Sequence, residues 1–194
     1  MSDFSSDNPP LNLSGHFLIA MPSMESDVFD GSVIYLFDHN EDGAVGLIIN
    51  QPSTVALAEL IDNLDEDIED IDPAVEDTLV YFGGPVNSDK GFVLHSSDKT
   101  YRSTIGNNDL LMTSSRDVLL DYARGEGPRH FMLALGYSGW GPGQLEQEIA
   151  DNAWLTVKAS SKIIFDTPVA ERYYRAIKLL GFDPQLLLGS AGHA

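Results

Sequence analysis

The sequence predicts an α+β fold: a single domain over residues 11–194, built on a mixed, strongly curved, barrel-like β-sheet with flanking helices, after a disordered tail over residues 1–10. Three observations predict it. Short apolar runs rich in β-branched and aromatic residues recur along the chain, segments with a helical period fall between groups of them, and the two do not alternate strictly as βαβ units would require. The tail is polar, carries Pro9 and Pro10, and has nothing to bury.

The expected strands, in order, are Phe17 to Ala20, Ser32 to Phe37, Val45 to Ile49, Leu79 to Phe82, Phe92 to His95, Leu110 to Thr113, Phe131 to Tyr137, Trp154 to Val157 and Ile163 to Phe165. Their lengths and their Gly, Pro and Asn boundaries suit strands. A helix is expected from Val55 to about Leu64, where Leu57, Leu60, Ile61 and Leu64 share one stripe. Ser114-Ser-Arg-Asp117 is a near capping box before a helix over Val118 to Arg124, with Gly125 at its exit. Thr167 and Pro168 open another helix, which buries Val169, Tyr173, Ile177 and Leu180 and stops at Gly181; Asp183-Pro184 signals a short terminal one.

Composition narrows the chemistry. With 194 residues and 43% apolar side chains, the chain can bury about 70% of its unfolded surface in one core. It has no cysteine, which removes disulfides, thiolate metal sites and thiol chemistry. No basic and apolar leader opens the chain and no run of 18 apolar residues occurs, so a cytoplasmic location is expected. The net charge of −19 is uneven: residues 1–89 hold 19 acids and no base, and the other 11 acids and all 11 bases begin at Lys90. Such a surface repels a phosphate backbone, so direct nucleic-acid binding is not expected, while a basic protein partner would be attracted.

From Glu59 to Asp77 lie ten acids and no base, with Ile61, Leu64, Ile68 and Ile71 interleaved. Asp65, Asp67 and Glu69 mimic the first ligands of a calcium loop, but Asp70 stands where its turn glycine belongs. A solvated acidic face on a continued helix or a loop fits better, with weak divalent-cation binding or docking of a basic partner left open.

The glycine-rich stretch Leu135-Gly-Tyr-Ser-Gly-Trp-Gly-Pro-Gly-Gln144 raises two catalytic possibilities. A phosphate loop is excluded, because no Lys or Arg occurs from His130 to Val157 and Glu146 and Glu148 occupy the following first turn. A nucleophile elbow at Ser138 is incomplete: Trp140 replaces the last glycine of Gly-x-Ser-x-Gly, and only His193 follows the serine. A turn joining a buried strand that ends at Tyr137 to a helix begun by Pro142 fits the residues best. The histidines, His16, His39, His95, His130 and His193, show no zinc spacing, so no metal site is expected. Lys90, in Ser88-Asp-Lys-Gly-Phe92, could meet an anion beside the turn Phe82-Gly-Gly-Pro-Val86, or simply offset Asp89.

Taken in order, Phe17-Leu-Ile-Ala-Met-Pro22, Ser32-Val-Ile-Tyr-Leu-Phe-Asp-His-Asn40, Gly43-Ala-Val-Gly-Leu-Ile-Ile-Asn-Gln-Pro52, Phe82-Gly-Gly-Pro-Val86, Gly91-Phe-Val-Leu-His95, Leu135-Gly-Tyr-Ser-Gly-Trp140 with Gly143-Gln-Leu-Glu146, and Gly192-His-Ala194 resemble the YqgE/AlgH family of bacterial proteins. The resemblance implies a cytoplasmic single-domain α+β protein with a curved or barrel-like sheet, and it supplies no catalytic residues to carry over. The name AlgH attaches to a proposed transcriptional regulator of alginate production. Lys90 stands where relatives often have Arg, and Phe37 where some have Cys.

The sequence therefore favours a non-catalytic binding or regulatory protein that acts through a protein partner or a small ligand, with no cofactor. The expected ligand cleft forms where the two glycine clusters meet and comprises Gly83, Gly84, Pro85, Lys90, His95, Tyr137, Ser138, Trp140 and Gln144. The alternatives are a hydrolase using Ser138 or a histidine and carboxylate pair, and an indirect transcriptional regulator.

Overall fold

The computed structural model describes residues 11–64, 68, 70–106, 110–181 and 183. Among them ten strands form one network: β1 (His16–Ala20), β2 (Val33–Asn40), β3 (Gly43–Ile48), β4 (Pro52–Ala56), β5 (Leu79–Phe82), β6 (Val86–Ser96), β7 (Thr104–Ile105), β8 (Leu110–Thr113), β9 (Phe131–Trp140) and β10 (Trp154–Lys158). They run in the order β10-β1-β2-β3-β9-β6-β8-β7, with β4 and β5 branching off through β9. The β5/β9 pair is parallel, and the others are antiparallel. The sheet curls into a half-barrel carrying, among the described residues, six helices: α1 (Leu57–Asp62), α2 (Ala74–Asp77), α3 (Asp117–Ala123), α4 (Gln144–Ala150), α5 (Ser161–Phe165) and α6 (Val169–Lys178).

The apolar runs are continuous because both sheet faces are covered. Along β1 and β2, Phe17, Ile19, Val33 and Tyr35 enter one core, closed by Ile163 and Ile164 of α5 and Ala176 and Ile177 of α6. Their neighbours Leu18, Ala20, Ile34 and Leu36 face the other way, onto Trp140, Leu145 and Trp154. A third cluster joins α1, α2 and α3 to the sheet through Leu57, Ile61, Val75, Val118, Val93 and Leu133.

β9 is the hub. On one edge it pairs with β6, and on the other with β5 along its first half and β3 along its last residues. The Ile48 N–H donates to Gly83 O (3.0 Å), and the Gly83 N–H donates to Leu135 O (2.8 Å), so β3 and β5 abut at Gly83.

The structure differs from the sequence-based expectation in particular places. Ile163 to Phe165 is helical in α5, because Ile163 and Ile164 both bury against the first core, which a flat two-residue alternation would forbid. β4 was not expected: Pro-Ser-Thr-Val-Ala opens on a proline and carries no run of large apolar side chains, as an alternately exposed segment at the sheet's margin can. α1 starts at Leu57, not Val55, and ends at Asp62. β9 continues through Trp140, and Gly143 at φ +73°, not Pro142, precedes the first residue of α4. Thr167 does not cap α6; its hydroxyl donates to Lys162 O (3.0 Å). The N-terminal tail, Asp65, Asp67, Glu69, the terminal helix from Pro184 and His193 lie outside the described residues.

α6 also buries Arg172, 5% exposed and without an ion pair among the described residues. Its guanidinium donates to Thr167 O (3.0 Å) and to Ile49 O, and lies 5.0 Å from the Tyr81 ring centroid. Burial pushes its pKa below the usual arginine value.

Candidate functional site

The two glycine clusters do meet, and they meet as packed backbone. A Cβ on Gly136 would sit 2.3 Å from Gly84 O, and one on Gly84 would sit 2.3 Å from the Tyr137 carbonyl carbon. Both also need left-handed or otherwise positive φ, +71° and +150°, so only glycine lets the 82–86 turn lie flat on β9. Ser138 is fully buried beneath this contact and its hydroxyl donates to Gly83 O (3.1 Å). Gly83, Gly84, Pro85 and Ser138 thus form a clasp between strands, with Pro85 exposed on its outside.

Beyond the clasp, each polar group of the stretch into α4 has a structural partner. Trp140 (6% exposed) and Trp154 (3%) both donate their indole N–H to Glu148 Oε2, each at 2.8 Å. Gln144 accepts from the Gly141 N–H (3.0 Å) and donates to Glu148 Oε1 (2.9 Å). Glu146 accepts from His39 Nε2 (3.0 Å), whose Nδ1 accepts the Leu13 N–H (3.0 Å), which places the ring proton on Nε2. The bond from its own backbone N–H, and then His39, hold the Glu146 carboxyl below its usual value. Trp140 is therefore a core residue that packs near Phe29 and Trp154 (centroids 6.3 and 6.0 Å), not a cleft wall.

His95 is fully buried on the far half of β6. Its Nδ1–H donates to Ser96 O (2.9 Å), so Nε2 accepts from Thr113 Oγ1 (2.8 Å). Thr113 in turn accepts from Thr104 (2.7 Å), which accepts the Tyr101 N–H (2.7 Å). The directions are forced by the two backbone ends, and the chain closes β7 onto β8 and β6. Burial pushes the His95 pKa down, partly opposed by Ser96 O and Asp98. Burial, with Asp121 nearby, pushes the Tyr101 phenol up to about 12, and among the described residues its hydroxyl has no hydrogen-bond partner.

The nine expected cleft residues are thus dispersed. His95, Ser138 and Trp140 are buried with separate partners, and Gln144 caps the turn before α4. Lys90 and Tyr137 remain together. They border an open depression of about 520 Å³ with Asn87, Gly91, Phe92 and Ser114. The depression exists because β6 slips register between Val86 and Gly91, opposite Tyr137 and Leu135. That bulge carries Asn87 at φ +49° and leaves residues 87–90 exposed. Phe92 and Tyr137 meet edge to face at 5.6 Å, and among the described residues Lys90 makes no ion pair. Sequence reasoning missed Asn87, Gly91, Phe92 and Ser114 here. The turn chemistry of Asn87-Ser-Asp-Lys90 was a readable hint of the bulge, whereas nothing in the sequence couples Ser114 to it.

A second cavity of about 590 Å³ opens near the outer strands of the half-barrel, lined by His16, Tyr35, Phe37, Gly106, Leu110 and Lys158 among others. Among the described residues no cluster of three or more His, Asp or Glu could hold a metal ion, and no helix is long and apolar enough to cross a membrane.

A curled half-barrel whose glycine stretches are spent on strand packing defines a structural class. A family model described as AlgH-like (DUF179) matches residues 17–185, and the chain belongs to that family. It is 51% identical over 185 residues to a UPF0301 protein of Chromobacterium violaceum, covering 95% of this chain and 98% of the relative. It is also 51% identical to a UPF0301 protein of Bordetella petrii, over 99% and 94% of the two chains. The solution structure of the AlgH protein from Pseudomonas aeruginosa superposes with a TM-score of 0.78 at 47% identity, over 96% of this chain and 98% of that one. A Corynebacterium diphtheriae protein shares the fold, with a TM-score of 0.67 at 24% identity over 93% and 92% of the two chains.

Proposed function

We propose that this protein is a non-catalytic binding or regulatory protein of the cytoplasm, and that its ligand site is the depression beside Lys90 and Tyr137. One observation carries this reading: Ser138, His39 and His95, three of the groups that sequence alone offered for catalysis, are committed to internal hydrogen bonds. Ser138 gives its proton to a backbone carbonyl in a fully buried position, and an activated serine must instead give it to a base. His39 and His95 each have both ring nitrogens engaged. The chemistry left on the surface is that of recognition.

The partner is a small ligand or a protein, and a protein partner is basic, drawn by the acids of residues 1–89. The AlgH name of the Pseudomonas aeruginosa relative suggests regulation, and the charge of −19 favours a route through such a partner over contact with DNA. The test is exposure of the full chain to a fluorophosphonate, followed by mass spectrometry of the intact protein. No adduct is expected. An adduct that disappears in Ser138→Ala would overturn the non-catalytic reading.

A further inference from the structure

We propose that the depression formed by the β6 bulge binds a planar aromatic carboxylate, with Lys90 meeting the carboxylate and the Phe92 and Tyr137 rings flanking the aromatic body. The proposal rests on the binding role proposed above and names the chemistry of its ligand. Four observations support it.

The first is charge. The chain holds 30 acids against 11 bases, yet the residues lining this depression include a lysine and no acid. Lys90 makes no ion pair among the described residues, so its ammonium is available to an incoming anion.

The second is the apolar surface. Phe92 and Tyr137 are only partly buried where they pack against the first core. Their edge-to-face contact at 5.6 Å leaves aromatic surface bordering the opening, where a third ring can add by stacking or edge contact. An inorganic anion would leave this surface unused.

The third is geometry. Register places Phe92 opposite Ala134 and Gly91 opposite Leu135, while Val86 is opposite Tyr137. The four residues 87–90 therefore loop out beside Tyr137, and bulges of this kind re-aim side chains at the margin of a sheet. Asn87 and Ser114 border the same opening and offer neutral donors that suit a carboxylate's second oxygen.

The fourth is size. A volume of about 520 Å³ lies within the range of small-molecule sites, about 300–1,000 Å³.

The experiment titrates the full chain with three probes of one shape, 2-naphthoate, 2-naphthylmethanol and 2-naphthylmethylammonium, followed by amide chemical-shift changes. Lys90 is exposed, and exposed ion pairs are weak, so naphthoate should bind about two- to fivefold tighter than the alcohol. The shifts should centre on Asn87, Gly91, Phe92, Ser114 and Tyr137. Lys90→Met should erase the preference for naphthoate while keeping binding of the alcohol, and Tyr137→Leu should weaken both about two- to tenfold. Lys90 is on the surface, so its variant should fold, and its amide spectrum reports this directly. The proposal is overturned if the ammonium probe binds there as tightly as naphthoate, if the shifts centre elsewhere, or if naphthoate shows no binding at millimolar concentration. Any of these with Ser138 unlabelled by fluorophosphonate removes the ligand class and leaves the non-catalytic role standing. A labelled Ser138 removes that role without altering what the probes report.

Discussion

Both tryptophans of the chain hang on one carboxylate, which makes Glu148 a sharp test of the physical account. Glu148 Oε2 accepts the indole N–H of Trp140 and of Trp154, each at 2.8 Å, and the chain has no other tryptophan. Glu148→Ala leaves two indole donors on nearly buried rings without an acceptor. A hydrogen bond to a charged group contributes about 1.5–3 kcal/mol. Because Glu148 is only half-buried, the low end applies to each bond, and the loss comes to about 3 kcal/mol. Glu148→Gln keeps the shape and one carbonyl oxygen, but its amide NH2 then faces the Gln144 NH2, which is held in place by the Gly141 N–H. The glutamine variant should cost about 1–2 kcal/mol. Urea unfolding followed by tryptophan emission reads both at the site itself. With a urea dependence of about 2 kcal/mol per molar, the alanine midpoint should fall by about 1.5 M and the glutamine midpoint by about 0.5–1 M. An alanine midpoint within about 0.3 M of the parent would show that the indoles do not depend on this carboxylate, and the structural role given to α4 would fail with it.

Gly136→Ala and Gly143→Ala need the same left-handed backbone, φ +71° and +73°, but only the first drives a Cβ into backbone, at 2.3 Å from Gly84 O, while the second meets nothing within 4 Å. Thermal unfolding should show about 1 kcal/mol lost for Gly143→Ala and at least about 3 for Gly136→Ala; equal losses would refute the clasp. For His95 the folded pKa lies below its ordinary 6.5, so the unfolded chain takes up the proton first as pH falls. Its stabilising contribution is intact above about pH 6.5 and declines below it toward the folded pKa. Urea midpoints from pH 7 to 5 should therefore fall more steeply for the parent than for His95→Gln, and parallel slopes would show that His95 is not the group responsible.

Much of the architecture was readable because the forces that set it are local and periodic. The apolar runs from Phe17 to Trp154 marked strands, and the stripe Val169, Tyr173, Ile177 marked α6. Failures fell where a tertiary surface outweighed local preference: the β-branched pair Ile163-Ile164 was drawn into a helix by the core it covers, and the short, largely uncovered β4 was held by its neighbour β5. The candidate site was less readable. Lys90 and Tyr137 were singled out as members of one cleft and do border one depression. Their expected companions His95, Ser138 and Trp140 were already spent on hydrogen bonds that span up to 55 residues of chain.

By itself the sequence determined the class of fold, the uneven charge, the exclusion of thiol chemistry and the family. Those depend on residue type and spacing alone. Only the tertiary structure decided whether each polar residue of the glycine stretches was free to meet a ligand. That freedom depends on which distant carbonyl or carboxylate arrives within about 3 Å, a quantity fixed when β3, β5 and β6 close around β9.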